Sequence, residues 1–83
     1  MKLIITNQAR KDLAKLDITI QRQVVITLDK YIEGNQVDIL KLSGISNQYR
    51  IRLGDYRIII ERVNEDTIVI YALRVLHRRE VYR

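Results

Sequence analysis

Apolar residues change their spacing halfway along this 83-residue chain. In the first half they recur every three or four positions. Ala9, Leu13 and Leu16 fall one turn apart within "NQARKDLAKL", and Asn7 can cap the start of that helix. Asp17 can cap a second helix, in which Ile20, Val24, Leu28 and Ile32 keep the i, i+4 interval until Gly34 stops it. The β-branched run "ITIQRQVVIT" favours a strand locally, but the helical interval persists over four turns and predicts a helix. Before both helices, "KLIIT" reads as a short strand. Residues 35–47 read as a loop, with Leu40 and Leu42 as candidate anchors to the core.

In the second half the period drops to two. "QYRIRLGDYRIIIERV" alternates as a strand pair does, and Gly54-Asp55 suits a two-residue type II′ turn. "TIVIYALRVL" follows the polar turn "NEDT" as a further strand. The predicted order is β-α-α-β-β-β, an α+β fold with a helical hairpin on one face of a mostly antiparallel sheet. No repeat, proline or linker divides the chain, so residues 1–83 read as a single domain.

A two-residue turn fixes the hairpin register. Leu53 faces Tyr56, Ile51 faces Ile58 and Tyr49 faces Ile60, giving one apolar face for the helices. On the other face Arg52 stands opposite Arg57, with Arg50 about 6.6 Å along the strand. If the next turn is centred between Glu65 and Asp66, Ile58 meets Leu73, Ile60 meets Tyr71 and Arg57 meets Arg74. Four guanidinium groups then share one face, with Ile59, Ile68 and Ile70 beside them. Directly opposed like charges destabilise a sheet by about a few tenths of a kcal/mol or more. A bound anion would offset that cost. The competing reading is four arginines splayed outward into water.

Composition sharpens this picture. The formal charge is +5, which suits an acidic partner such as nucleic acid. All five lysines lie at or before Lys41, whereas eight of the ten arginines lie at or after Arg50. Arginine presents a planar donor fork matched to phosphate. With no cysteine and one histidine, disulfide, thiolate and zinc chemistry are not expected. No apolar run approaches membrane-spanning length, and the N-terminal stretch is too short for a secretory signal, so the expected compartment is the cytoplasm.

The last seven residues, "HRREVYR", hold the sole histidine. His77, Arg78, Arg79 and Tyr82 follow directly on the last strand. Strict alternation puts His77 on the helix side, so a bend or bulge near Leu76 is needed to bring it to the arginines. Arginines with one histidine and one tyrosine suit RNA cleavage by the substrate's own 2′-hydroxyl. Arginine neutralises the phosphorane, and histidine moves a proton. Glu61 and Glu80 are nearby carboxylates that can orient a donor, act as base or form salt bridges.

Three stretches together resemble the RelE/ParE superfamily of bacterial toxin–antitoxin toxins. "NQARKDLAKLD" resembles the first helix of that family, "LSGISNQYRIRLGDYRIIIERV" its central signature, and "RVLHRREVYR" its C-terminal motif. Leu76 and Ile60 depart from the pattern, which often has glycine and an aromatic there. For the RelE branch the resemblance implies a metal-independent, cofactor-free endoribonuclease (an mRNA interferase) that cuts mRNA in the ribosomal A site. It implies Arg50 and Arg52 as substrate-holding residues, with Arg74 beside them on the face. Arg57 and Arg78 would stabilise the transition state, Tyr82 would orient or stack on the substrate, and His77 matches a histidine that some members use as general acid and others lack. The implied partners are a cognate acidic antitoxin, the ribosome with its mRNA, and operator DNA only through the antitoxin complex. The ParE branch implies a DNA gyrase inhibitor without nuclease chemistry. An inactive homologue acting as co-repressor is a further alternative.

Overall fold

The computed structural model describes residues 2–42, 44, 47–64 and 69–77, with backbone alone at 69, 70, 73, 76 and 77. Along the chain come β1 (Lys2–Ile5), α1 (Asn7–Ala14), α2 (Ile18–Ile32), β2 (Ile39–Lys41), β3 (Gln48–Leu53), β4 (Tyr56–Arg62) and β5 (Val69–His77). The strands form one sheet in the order β1-β5-β4-β3-β2. β1 runs parallel to β5, and the other pairs are antiparallel. This is the expected α+β architecture with one more strand. β2 lies in the stretch read as a loop, and pairs Ile39 with Ile51, Leu40 with Arg50 and Lys41 with Tyr49. Three residues are too few to reveal a period.

The helices begin and end for local reasons. Thr6, rather than Asn7, caps α1. Its Oγ1 accepts from the Ala9 N–H at 3.2 Å and donates to the Ala72 carbonyl at 3.0 Å. One hydroxyl thus satisfies an orphan donor of the helix and ties it to β5. α2 ends in a Schellman motif: Gly34 N–H donates to Tyr31 O and Asn35 N–H to Lys30 O. Gly34 sits at φ 87°, a conformation glycine reaches without the Cβ penalty.

α2 turns Val24, Leu28 and Tyr31 into a core with Ile51, Ile58, Ile60, Ala72 and Val75 from the sheet. Its β-branched residues cost about a few tenths of a kcal/mol each in helix propensity. Burying one such side chain is worth about 1.5–3 kcal/mol, so packing overrides local preference. The apolar face of the β3–β4 hairpin has the expected register, including Leu53 opposite Tyr56. Gly54 has φ 58° and Asp55 is not at positive φ, as type II′ requires.

The β4–β5 register differs from the expected one. Ile58 faces Val75, not Leu73, and Ile60 faces Ala72, not Tyr71. Arg57 faces Leu76 and Arg74 faces Ile59, so those two arginines are not directly opposed. A β-bulge between Ile59 and Ile60 separates the two registers, with Leu73 as the extra residue on β5. Ile70 pairs with Arg62, outside the rows of arginines, and Ile68 lies outside the described residues.

Leu28 is 1% exposed at the centre of this core. Leu28→Ala is expected to lower unfolding free energy by about 2–5 kcal/mol. Ile26→Ala, on the solvent side of α2, should change it by less than about 0.5 kcal/mol. Urea denaturation followed by circular dichroism measures both.

Candidate anion-binding face

The sheet face turned away from α2 is built in rows set by the ladder. One row runs Leu40, Arg50, Ile59, Arg74 across β2, β3, β4 and β5. The next runs Arg52, Arg57, Leu76. A third runs Gln48, Glu61, Tyr71. The second row is extended by Asp38, whose carbonyl accepts the Arg52 N–H at 2.8 Å just before β2 begins. The register thus brings Arg50, Arg52, Arg57 and Arg74 into two adjacent rows, as the sequence led one to expect.

Each arginine is held differently. Arg57 is only 5% exposed. Its Nη1 donates to the Gly54 carbonyl at 2.9 Å and the Tyr56 carbonyl at 2.8 Å, folding the side chain back over its own turn. Its Nε is buried and has no hydrogen-bond partner among the described residues. Neutral carbonyls do not compensate a guanidinium's charge, and burial makes an uncompensated charge costly. A bound anion would relieve both the charge and the orphan donor.

Arg52 lies at the surface, where its Nε donates to Asp38 Oδ2 at 2.7 Å. Arg74 Nε lies 3.7 Å from Asp12 Oδ2. Asp12 is 8% exposed and does more than pair with Arg74. Its Oδ1 accepts from Gln8 Nε2 at 3.0 Å, and its Oδ2 is 3.4 Å from the Val75 amide. β1 stops pairing at Ile5 opposite Ala72, so α1 covers the following edge of β5 with this carboxylate.

Arg62 belongs to the other side. Its Nε donates to the Tyr31 hydroxyl at 2.7 Å, and its guanidinium carbon lies 5.1 Å from the Tyr49 ring centre. It therefore fastens β4 to α2.

β5 continues through Leu76, and His77 pairs with Tyr56, in the Leu53–Tyr56 row. The bend expected near Leu76 does not occur before His77. Arg78, Arg79, Glu80 and Tyr82 lie outside the described residues. Asp38 and Asp12 had not been singled out in the sequence. Asp38 would have been found by extending β3 pairing into residues 38–41, whereas Asp12 carries no signal within an ordinary polar helix face.

Fold and face define a small basic α+β protein with four arginines in two adjacent rows of one sheet face. Residues 3–82 match the family model described as ParE toxin of type II toxin-antitoxin system, parDE. The chain is 38% identical over 87 residues to Toxin RelE3 of Methanocaldococcus jannaschii, covering 99% of this chain and 96% of that protein. It is also similar to a chain of the RelB–RelE antitoxin–toxin complex from Methanococcus jannaschii. There the TM-score is 0.74 and the identity 36%, covering 95% of this chain and 94% of that one. With the isolated E. coli RelE toxin the TM-score is 0.76 and the identity 27%, covering 98% and 89%. The chain belongs to the RelE/ParE family of type II toxin–antitoxin toxins.

Asp12→Ala leaves the Val75 amide and Arg74 without their carboxylate and should destabilise the fold by about 1–3 kcal/mol. Asp38→Ala removes an ion pair whose side chains are 57% and 52% exposed, and should cost less than about 1 kcal/mol. Thermal unfolding of the two variants side by side checks this ranking.

Proposed function

We propose that this toxin is a metal-independent endoribonuclease that cuts ribosome-bound mRNA. The observation that carries the reading is Arg57: a buried guanidinium with an unpaired Nε, opposite Arg52 on a face with two further arginines. Likeness to RelE toxins over nearly the whole chain supports the same reading.

In the reaction the substrate supplies its own nucleophile. The 2′-oxygen forms a bond to the adjacent phosphorus as its proton passes to a base. The bond from phosphorus to the 5′-oxygen then breaks, and that oxygen takes up a proton. A cyclic phosphate and a 5′-hydroxyl result. Arg50, Arg52 and Arg74 hold the flanking phosphates. Arg57 and Arg78 balance the negative charge that develops on the phosphorane, where fixed donors contribute most. Tyr82 orients the substrate. His77 is the candidate donor of the proton to the leaving 5′-oxygen. The cognate acidic antitoxin is the partner that restrains the toxin, and operator DNA is reached only through that complex. A relative crystallised as a RelB–RelE complex supports the partner.

The match to a ParE toxin model favours a second reading, inhibition of DNA gyrase without chemistry. A translating extract and a supercoiling assay, each given the purified toxin, separate the two. Cleaved mRNA mapped by primer extension is expected, with supercoiling intact. Blocked supercoiling with intact mRNA supports the second reading instead.

Arg57→Ala should lower cleavage by about 100-fold or more, as should Arg78→Ala, with the circular dichroism spectrum unchanged. His77→Gln should lower it by about 100-fold, the loss usual for a general acid. Single-turnover cleavage of ribosome-bound mRNA measures all three.

A further inference from the structure

The arginine face carries its own competing anion. Asp38 sits beside Arg52 in the strand ladder, fixed there by the 2.8 Å bond from the Arg52 amide to the Asp38 carbonyl. From that position its carboxylate takes the Arg52 Nε at 2.7 Å. Among the described residues this is the hydrogen bond that Arg52's guanidinium makes. At the β5 end of the same face Asp12 Oδ2 lies 3.7 Å from Arg74 Nε, an ion pair longer than a hydrogen bond. Asp12 has a second task in the β5 edge, whereas Asp38's carboxylate has no other polar partner among the described residues and contributes little to stability at an exposed site. A residue with so small a structural role, aimed at one member of a phosphate-binding row, has its main effect on what that row binds.

We infer that Asp38 is a specificity-determining residue that restrains Arg52 from binding RNA phosphate indiscriminately. The inference rests on the phosphate-binding reading above. A phosphate on Arg52 lies well within one Debye length of the Asp38 carboxylate, so their repulsion is only partly screened. The carboxylate also occupies a donor that the phosphate would use. Loose single-stranded RNA, held through few contacts, is penalised most by this. A substrate held along its length by other contacts overcomes it. The device therefore lowers background RNA binding more than it lowers productive binding.

Asp38→Asn keeps an acceptor of the same shape for the Arg52 Nε and removes the charge alone. Asp29→Asn, at an exposed position on α2, changes net charge equally on the opposite side of the sheet. Binding of a short fluorescein-labelled single-stranded RNA to the purified toxin is read by fluorescence anisotropy at fixed salt. Asp38→Asn should tighten binding about fivefold, and Asp29→Asn less than about twofold. Equal effects of the two variants, or weaker binding by Asp38→Asn, overturn the inference while leaving the nuclease reading intact. If wild-type binding is unaffected by Arg57→Ala, phosphate does not settle on this face, and both the inference and the reading beneath it fall.

Discussion

The pairing of β3 with β4 across Gly54 is the constraint on which the rest of the molecule depends. Side chains alternate between the faces of a strand, so one residue of slippage would exchange the two faces completely. With Leu53 opposite Tyr56, Ile51 and Ile58 enter the core beneath α2, and Arg52 and Arg57 are forced together on the reverse. The same turn also anchors Arg57, whose Nη1 is bonded to the carbonyls of Gly54 and Tyr56. Core and anion face are therefore two consequences of a single register, and neither can be altered by slippage without the other.

The two faces have opposite energetics. On the helix side, burial of Val24, Leu28, Ile51, Ile58 and Ile60 supplies the stability. On the reverse, guanidinium groups in adjacent rows repel one another, and Arg57 is buried with a donor left over. The fold tolerates this through devices at the margins: Asp38 on the β2 side, Asp12 on the α1 side, and backbone carbonyls beneath Arg57. These local acceptors lessen the strain, and an anion bound among the arginines, as proposed above, would lessen it further.

Much of this was legible in the sequence because it is periodic. The i, i+4 series from Ile20 to Ile32 marked α2 despite its β-branched residues, and Gly54-Asp55 fixed the hairpin and three of its arginines. What escaped was aperiodic. β2 is too short to alternate, and with it went the partner of Arg52. The bulge at Leu73 inserts one residue into a strand that is apolar at nearly every position, so no pattern marks where the register shifts. Thr6 took the cap from Asn7 because its hydroxyl also reaches Ala72, a contact that depends on β5 being alongside. The backbone ladder of β5 continues as far as His77, which pairs with Tyr56.

The central claim is that phosphate settles among Arg52, Arg57 and their neighbours. The most direct measurement is a nuclear magnetic resonance titration of the toxin labelled with 15N-arginine, using a short RNA whose 2′-hydroxyls are methylated so that it binds without being cut. The account predicts saturable shifts of the Arg52 and Arg57 Nε–H signals, with Arg62 and Arg22 nearly unmoved. Shifts confined to Arg22 and other residues of the helical side, with Arg57 unchanged, would contradict it.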